Sequence, residues 1–513
     1  MSVRDEIPGN GPDEPYSLDQ WVETLVDAHA DLHTAQQRID VLEKEIAQLK
    51  KENAQLKLQL DGKDSTAKLD QPFSMRAEEK RQQQRGRKKK RKESKKQRRG
   101  RIANEEKIRR AEKTEDVYPA NVPPDQCRLS HIRVAWRLID GQAVLVAYRV
   151  FQGPKKQYGV IPGVMGRSEY GQEIIVELAF LVRQMGLSLD KVCAIVGFLQ
   201  KLNLRKSQVD ALLKQLAVQW SDEFEVLCTL LANSLVVHAD ETSWSINSVW
   251  AFVSEKVRVL FFGVNKDGQT LKEILDPETF SGLVFSDDAA VYANFTNAQK
   301  CWAHLLRKAI KLTLQEPGNQ EYRQFADALL DIYHEAERCR RDQRLKDVGR
   351  ERKEKELVRK LFCLCGPVCR AHKEATGLNH IWWLLAEELV RLGLRNELFR
   401  FVLHEPVEQP NGTPVGMGGT NNEAERTLRD PAQARDTGRT SKTVSGARRT
   451  SILTSVLESL RLYLPRFTLA SVLEEVQRWQ EAGRSCFREL MEKLGLSLPD
   501  ESVLDRVLPD PSG

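Results

Sequence analysis

The amino-acid sequence predicts an α/β protein built around a mixed β-sheet, with a coiled coil and a basic segment preceding it. Two observations predict the sheet: an apolar, β-branched run in 234–244 ends at two acids, and a second apolar run in 282–288 ends in the same way. Short apolar runs that end in acids are typical of buried strands delivering carboxylates to one sheet edge. A heptad repeat over 18–60 predicts the coiled coil.

The charge of this chain is concentrated in one segment. The chain has 513 residues, a charged fraction of 30% and a net charge of +6. Arg76–Arg110 alone contains 18 Lys/Arg and 5 Asp/Glu, a local charge of +13, which leaves −7 for the remainder. Such a block favours nucleic acid or another anionic surface as the partner.

The remaining composition predicts an intracellular location. Nine cysteines without a regular framework are typical of a reducing compartment, and the acidic N-terminus argues against a signal peptide. No apolar run approaches the roughly 20 residues that a membrane span requires, so we expect no membrane partner.

The first 17 residues are rich in Pro, Gly and acids and are expected to be disordered. From residue 18 to 61 we predict a parallel coiled coil that makes the protein a homodimer or a higher oligomer, with Asn53 fixing the register. The alternative is one amphipathic helix docked on its own chain. The a and d positions are Leu18, Trp21, Leu25, Ala28, Leu32, Ala35, Ile39, Leu42, Ile46, Leu49, Asn53, Leu56 and Leu60.

Residues 62–118 are predicted to be a basic disordered linker, because the apolar periodicity stops and like charges repel one another. Its most basic run would contact DNA phosphates without reading sequence. The alternative is a segment that only keeps the protein in solution. The candidate phosphate-binding residues in this run are Lys88, Lys89, Lys90 and Arg91.

Two small domains are predicted next. Residues 119–164 form a small β unit, with two alternating runs on either side of Asp140-Gly141. Residues 165–232 contain three helices with short breaks. They suit a helix-turn-helix DNA-binding domain with the third helix as the reader, or a plain helical bundle.

The first part of a catalytic core is predicted over 233–304. After the strand ending near Asp240 come two strands, a helix, and a fourth strand ending at Asp287. This order suits a ribonuclease-H-like mixed sheet, in which the ends of the first and fourth strands are neighbours. We therefore expect Asp240 and Asp287 to face each other.

Two carboxylates at one sheet edge suit a hard divalent cation such as Mg²⁺, and two such ions can clamp an in-line displacement at phosphorus. A third acid would complete the site. The stretch 421–429 is the next candidate, because as a helix it would place Glu425 beside Arg426 and Arg429. The alternative is a helix N-terminus that carries acids only for stability.

Four stretches in order resemble the DDE transposases of the insertion-sequence 66 family, over roughly residues 130–470. They are His238-Ala239-Asp240-Glu241-Thr242, then Ser286-Asp287 with Tyr292, then Gln299-Lys300-Cys301-Trp302-Ala303-His304-Leu305, and Asn421-Asn422-Glu423-Ala424-Glu425-Arg426-Thr427-Leu428-Arg429.

The resemblance implies that Asp240, Asp287 and Glu425 are the catalytic and metal-binding acids. It implies two Mg²⁺ ions, for which Mn²⁺ can substitute, cleavage of transposon ends, and strand transfer to target DNA. Asn421, Asn422, Arg426 and Arg429 would orient the acid or touch phosphate.

Other positions stay open at this stage. Glu423 competes with Glu425 for the third position, and Asp288 follows Asp287 where the family commonly has Gly. The family's cysteine-rich segment before the core is reduced to Cys127, so we expect no zinc there. Residues 435–442 read as a phosphate-binding loop with Arg435, Arg439 and Lys442 as DNA-binding residues.

The rest of the chain is assigned as follows. Residues 305–415 are predicted to be a helical insertion, 416–470 the second part of the catalytic core, and 471–513 a C-terminal helix with a frayed tail. Within the insertion, three cysteines and a histidine could bind zinc or could be buried at a helix junction. These are Cys363, Cys365, Cys369 and His372.

The prediction is therefore a metal-dependent DNA transposase, cytoplasmic and associated with the nucleoid. The alternatives are a non-catalytic DNA-binding accessory protein derived from a transposase, and a structural coiled-coil protein that binds nucleic acid nonspecifically.

Overall fold

The computed structural model describes residues 104–404, 407–412 and 418–509, together with residue 48. The chain divides into the units Met1–Gly100 and Arg101–Gly513, and all described residues except residue 48 belong to the second. The predicted coiled coil, the disordered N-terminus and the basic run at 88–91 lie outside the described residues.

A three-stranded sheet opens the described part, in the order β1-β3-β2. The predicted hairpin is confirmed: β2 and β3 pair antiparallel across Asp140 and Gly141, both at positive φ. Strand β1, which pairs parallel with β3, lies in the last part of the segment expected to be a disordered linker. The elements are α1 (Asn104–Arg109), β1 (Lys113–Val117), β2 (Arg128–Ile139) and β3 (Gln142–Gln152).

The prediction of a disordered linker over 62–118 is wrong at the C-terminal end of this segment, where β1 lies. The sequence did not reveal this strand because it has no alternation of apolar and polar residues. Its sequence is Lys-Thr-Glu-Asp-Val, and only Val117 is buried. Pairing with β3 and an ion pair between Asp116 and Arg149 hold the strand in the sheet. Such support comes from a distant part of the chain, so local composition does not reveal it.

The helical segment contains the three predicted helices and a fourth. Ser188 caps α3 as expected, by accepting a hydrogen bond from the Lys191 backbone N–H. The third helix, α4, buries Val209 and Leu213 in the core shared with the main sheet, and the helix-turn-helix stays a prediction. The elements are α2 (Gln172–Ala179) continuing as a π-helical turn (Phe180–Gln184), α3 (Leu189–Gln200), α4 (Lys206–Gln219) and α5 (Ser221–Ala232).

The main sheet has five strands in the order β6-β5-β4-β7-β8. Strands β4, β5 and β6 are antiparallel neighbours, whereas β7 runs parallel to β4 and β8 runs parallel to β7. This topology is compatible with a ribonuclease-H-like fold, and the four predicted strands are confirmed. The elements are β4 (Val236–Ser243), β5 (Ser248–Ser254), β6 (Arg258–Val264), α6 (Gly268–Ile274), β7 (Leu283–Ser286) and β8 (Ala298–Lys300).

Helices cover both faces of this sheet. Alternating residues of β4 point to opposite sides, so Val237 belongs to one hydrophobic core and Val236 to the other. The second core is formed with the helical insertion. Its helices are α7 (Trp302–Gln315), α8 (Gln320–Arg341), α9 (Asp347–Ala371), α10 (Gly377–Leu394) and α11 (Arg400–Leu403).

The cysteines of the insertion lie on one long helix and do not converge. Cys363 is exposed and Cys365 is buried, because residues two apart on a helix face different directions. The ring of His372 packs against Trp382 at a centroid distance of 5.0 Å. Their arrangement in the structure is therefore not that of a zinc site.

The segment after the insertion is helical, including part of the predicted tail. The expected frayed tail is ordered up to Leu508, since Ser502 caps a final helix and Val503 and Leu504 are buried. The carboxylate of Glu225 accepts hydrogen bonds from both the Ser502 hydroxyl and the Val503 N–H. The elements are α12 (Asn422–Thr427), α13 (Arg429–Asp436), α14 (Val444–Tyr463), α15 (Leu469–Ala482), α16 (Cys486–Lys493) and α17 (Val503–Val507).

Helix α14 lies along the outer edge of β6 and takes the place of a neighbouring strand. Three serines at intervals of four residues share one face of the helix. Each hydroxyl accepts the hydrogen bond of one outward-facing β6 N–H, at 2.8–3.0 Å. We call Ser451, Ser455 and Ser459, which bond to Phe262, Leu260 and Arg258 respectively, the serine ladder.

No described helix combines the length and apolar character needed to cross a membrane.

Candidate functional site

The register of β4 against β7 places the first two candidate acids opposite each other. The last paired residues are His238 and Phe285. Continuing this parallel register by two residues sets Asp240 against Asp287, which directly follows β7. Neighbouring strands lie about 4.8 Å apart, so the two side chains emerge side by side at the carboxyl edge of β7.

The position of Asp240 within its strand differs from the prediction. Asp240 was expected at the strand's end, but β4 continues to Ser243 because this segment still pairs with β5. Only the β7 side of β4 is unpaired beyond His238. Asp240 is therefore held by a backbone ladder on one side and open to Asp287 on the other.

Asn421 brings the third acid to the same strand. This side chain is 1% exposed, and its Nδ2 donates to the carbonyl of Ala239 at 2.7 Å. Its backbone N–H donates to Cys301 Sγ at 3.2 Å. Helix α12, which carries Glu425, therefore begins beside the residue that precedes Asp240.

The electrostatic environment of Asp240 includes the other two candidate acids. The pKa of Asp240 is raised from 3.8 to about 7, mainly because the carboxyl group is buried, and the negative charges of Glu241, Asp287 and Glu425 contribute to this rise. Carboxylates that destabilise one another's ionised forms are what a divalent cation relieves. The donor set is all oxygen, so these residues fit Mg²⁺ or Mn²⁺.

Replacing Asp240 by Asn is expected to stabilise the metal-free protein near neutral pH, raising Tm by about 2–6 °C. A folded-state pKa above the ordinary value means that stability falls as pH rises from about 4 to about 7, because the folded protein holds the proton longer. Thermal melts in EDTA at pH 5 and pH 8 measure this, and the gain of Asp240→Asn should be larger at pH 8. Equal gains at both pH values would contradict it.

The acids adjacent to the three candidates are neutralised by other partners. Glu241, on the opposite face of β4, accepts a hydrogen bond from the Tyr292 hydroxyl and pairs with Lys266 at 2.7 Å. Asp288 pairs with Arg391 of the insertion, and Glu423 pairs with Arg426 at 3.0 Å. Among the described residues, no ion pair involves Asp240 or Asp287, which leaves their carboxylates for a ligand.

Glu425 has a mixed environment. Its Oε1 lies 3.1 Å from Arg307 Nη2 and 3.6 Å from His304 Nδ1. Cys301 Sγ, a nitrogen of His304 and an oxygen of Glu425 lie within 4.8 Å of one another. Sulfur and imidazole suit softer metals than Mg²⁺, so for a hard ion only the carboxylate of this group is a suitable ligand.

The predicted DNA-binding residues fall into two groups. Arg426, Arg429 and Lys442 are exposed. Arg435 instead donates to the Thr242 and Ser243 hydroxyls at 3.0 and 2.8 Å, which fixes the end of β4. Arg439 donates to the carbonyl of Gly186, which joins the 437–443 loop to the helical segment.

Two site residues were not identified from the sequence. Lys300 is buried and donates to the Ser286 hydroxyl and to the Asp287 carbonyl, at 3.2 and 3.1 Å. Lys266 holds Glu241 from the loop after β6. Lys300 lies in the Gln-Lys-Cys-Trp stretch, but nothing local indicates that its amine returns to the end of β7.

His238 is completely buried, and its ring stacks on Phe285 at a centroid distance of 4.4 Å. Burial lowers its pKa to about 4, so the imidazole is neutral at physiological pH. His238 therefore serves as an uncharged packing residue beneath the acids.

The mixed sheet with acids at one edge belongs to a transposase-related protein that acts on DNA. A family model described as "Transposase IS66 family" matches residues 167–449, more than half of the chain. The chain belongs to this family of transposases, and the resemblance seen in the sequence motifs is confirmed. A search of curated proteins gave no match.

Proposed function

We propose that this protein is a DNA transposase that cleaves transposon ends and joins them to target DNA by metal-dependent phosphoryl transfer. One observation carries the proposal: Asp240 and Asp287 stand opposite each other in register, and Asn421 ties the helix of Glu425 to the same strand. On this proposal the main sheet is a ribonuclease-H-like catalytic core, interrupted by the helical insertion.

Asp240, Asp287 and Glu425 would hold two Mg²⁺ ions, with Mn²⁺ as a substitute. The ions supply activation of the attacking hydroxyl and neutralisation of charge on the transferring phosphoryl group. The raised pKa of Asp240 supports this assignment, because bound cations would favour the ionised carboxylate.

The surrounding residues keep the acids in place. Asn421 and Arg435 fix the two ends of the β4 segment that carries Asp240. Lys300 holds the backbone of Asp287 through its carbonyl. Rigid supports of this kind matter because catalytic carboxylates act only when they are held near the productive geometry.

Binding of DNA would draw on several parts of the chain. Arg426 lies on the helix of Glu425 and Arg429 begins the next helix, Arg439 and Lys442 lie in the 437–443 loop, and Arg435 supports the end of β4. Lys88, Lys89, Lys90 and Arg91 would add phosphate contacts without sequence readout. We further propose that 165–232 is a DNA-binding domain and that the coiled coil at 18–61 makes a homodimer or a higher oligomer. Such a protein would work in the cytoplasm on the nucleoid.

A non-catalytic accessory protein is the second candidate, since a basic segment and a dimer suffice for binding DNA. To distinguish a transposase from an accessory protein, the wild-type chain is incubated with labelled DNA carrying the element's ends, in Mg²⁺ or in EDTA. Strand cleavage that requires Mg²⁺ and the end sequence is the expected result. Binding to the ends with no nicking in Mg²⁺ or Mn²⁺ would instead identify an accessory protein.

A further inference from the structure

A large cleft is lined by arginines and shares helix α12 with the candidate active site. It has a volume of about 800 Å³ and is bordered by the π-helical turn, α4, α12, the loop before α14, and α14 itself. We call it the arginine cleft, after Arg183, Arg258, Arg426, Arg439, Arg449 and Arg461.

The cleft has an excess of positive charge. Its lining contains seven basic and four acidic residues. Three of the acids already form ion pairs with arginines of the lining, at 2.7–3.3 Å: Asp210 with Arg449, Glu423 with Arg426, and Glu458 with Arg258. These pairs leave the charges of the other basic side chains largely uncompensated.

Arg183 is the most unusual of these side chains. It belongs to the π-helical turn Phe180–Gln184, a local departure from α-helical geometry that is frequent at functional sites. Asp210, the acid whose charge acts on Arg183, is already paired with Arg449, and no described residue forms an ion pair with Arg183. The pKa of Arg183 is lowered to about 10, mainly by burial and also by repulsion from Arg449. The guanidinium therefore stays charged at neutral pH and lacks a counter-ion.

Several hydrogen-bond donors of the lining also lack acceptors. Buried N–H groups without a partner are rare in folded proteins, because each loses its bond to water without replacement. Four occur together here: within the described part of the chain no acceptor is found for Nε of Arg183, Arg258 and Arg449, or for the Trp244 indole N–H. A ligand rich in acceptor oxygens would satisfy them.

The cleft shares structural elements with the candidate active site. Helix α12 lines the cleft through Glu423, Arg426 and Thr427, and the same helix carries Glu425. Trp244 follows directly after β4, the strand of Asp240. The hydrogen bond from Arg439 to Gly186 closes one side of the cleft with two loops distant in sequence. A ligand in the cleft would therefore contact helix α12, which carries Glu425, and the residue that follows the strand of Asp240.

We propose that the arginine cleft binds phosphodiester groups of a DNA strand that extends from the reacting phosphate. Arg183 is the central contact in this assignment, with Lys442 and Arg439 at the rim. Phosphate oxygens would supply both the missing negative charge and the missing acceptors. The inference rests on the proposed function for its choice of DNA, and it adds the route of the strand.

The test compares full-length variants for binding of end DNA, as duplex and as single strand, in EDTA and over a range of salt concentrations. Arg183→Gln should weaken binding about tenfold at low salt. A plot of the logarithm of the binding constant against the logarithm of the salt concentration should become shallower by about 0.7–0.9, the value for one lost phosphate contact. The control is Arg344→Gln: this exposed side chain pairs with Asp342 away from the cleft, and DNA binding should stay unchanged.

A second variant keeps the test independent of folding. Lys442 is exposed at the rim, so Lys442→Gln should not perturb the core and should lower the salt slope in the same direction. If both variants bind with wild-type affinity and slope, the assignment is wrong. The cleft could instead bind free phosphate, and calorimetry with inorganic phosphate tests this alternative. If Arg183→Gln loses phosphate binding but keeps its affinity for DNA, a DNA strand is not the ligand of the cleft.

Because binding is measured in EDTA, the result does not depend on cleavage. A wild-type protein that never cleaves, but whose DNA binding falls in Arg183→Gln, would contradict the proposed enzyme and support the cleft. If the wild-type protein cleaves DNA but both cleft variants bind it normally, the result would support the proposed enzyme and contradict the role of the cleft.

Discussion

Replacing Asp287 by Asn should lower Mg²⁺-dependent cleavage of end DNA by about 10³-fold or more, whereas Asp288→Asn should change it less than about tenfold. Asp287 forms no ion pair within the described residues and its charge acts on Asp240, whereas Asp288 is neutralised by Arg391. The adjacent residue therefore serves as a control with the same chemistry. Initial rates of nicking at saturating DNA measure the effect.

The same comparison applies to the third acid. Glu425→Gln should abolish cleavage to a similar degree, and Glu423→Gln should leave most of it, since Glu425 is the one of the two named among the charges that act on Asp240. Binding of end DNA in EDTA should persist in Asp287→Asn and Glu425→Gln, because neither change removes a basic side chain. Cleavage at the wild-type rate in either variant would remove that residue from the catalytic set.

Removing the serine ladder should have the largest effect on stability. The triple variant Ser451→Ala, Ser455→Ala, Ser459→Ala leaves three β6 N–H groups without the hydroxyls that accept their hydrogen bonds. Each unsatisfied buried donor costs about 1–3 kcal/mol, so we expect the free energy of unfolding to fall by roughly 3–9 kcal/mol. Urea-induced unfolding followed by tryptophan fluorescence measures it.

Ser445→Ala is the matched control, because this serine is exposed on the same helix and the substitution also favours helix. It should change the free energy of unfolding by less than about 0.5 kcal/mol. A triple variant as stable as this control would show that water or backbone movement satisfies the β6 edge instead.

The sequence predicts those parts of the fold that are encoded locally. The apolar runs at 234–239 and 282–286 predict strands because they are long enough to show β-branched composition and end abruptly in acids. Their parallel pairing, and with it the meeting of Asp240 and Asp287, follows from element order alone. Strand β8 escapes prediction, since its three residues show no periodicity.

Contacts between distant segments are not predictable in the same way. Nothing near Arg183 indicates that Arg449 and Arg439, over 250 residues later in the chain, will border the same cleft. The difference between Glu423 and Glu425 is of the same kind: both are acids of one helical turn, each pairs with an arginine, and the effect of Glu425 on the pKa of Asp240 separates them. Charge pairing of this sort depends on tertiary structure.

The serine ladder also has a consequence for self-association. The edge strand of a sheet has outward N–H and C=O groups on which another chain can add a strand if they are exposed. In the main sheet β6 is an edge strand. Here the hydroxyls accept from its N–H groups, while those of Ser455 and Ser459 also lie within hydrogen-bonding distance of the Leu260 and Arg258 carbonyls. Strand addition at β6, whether in amyloid-like aggregation or in domain swapping, would first require helix α14 to detach from the sheet.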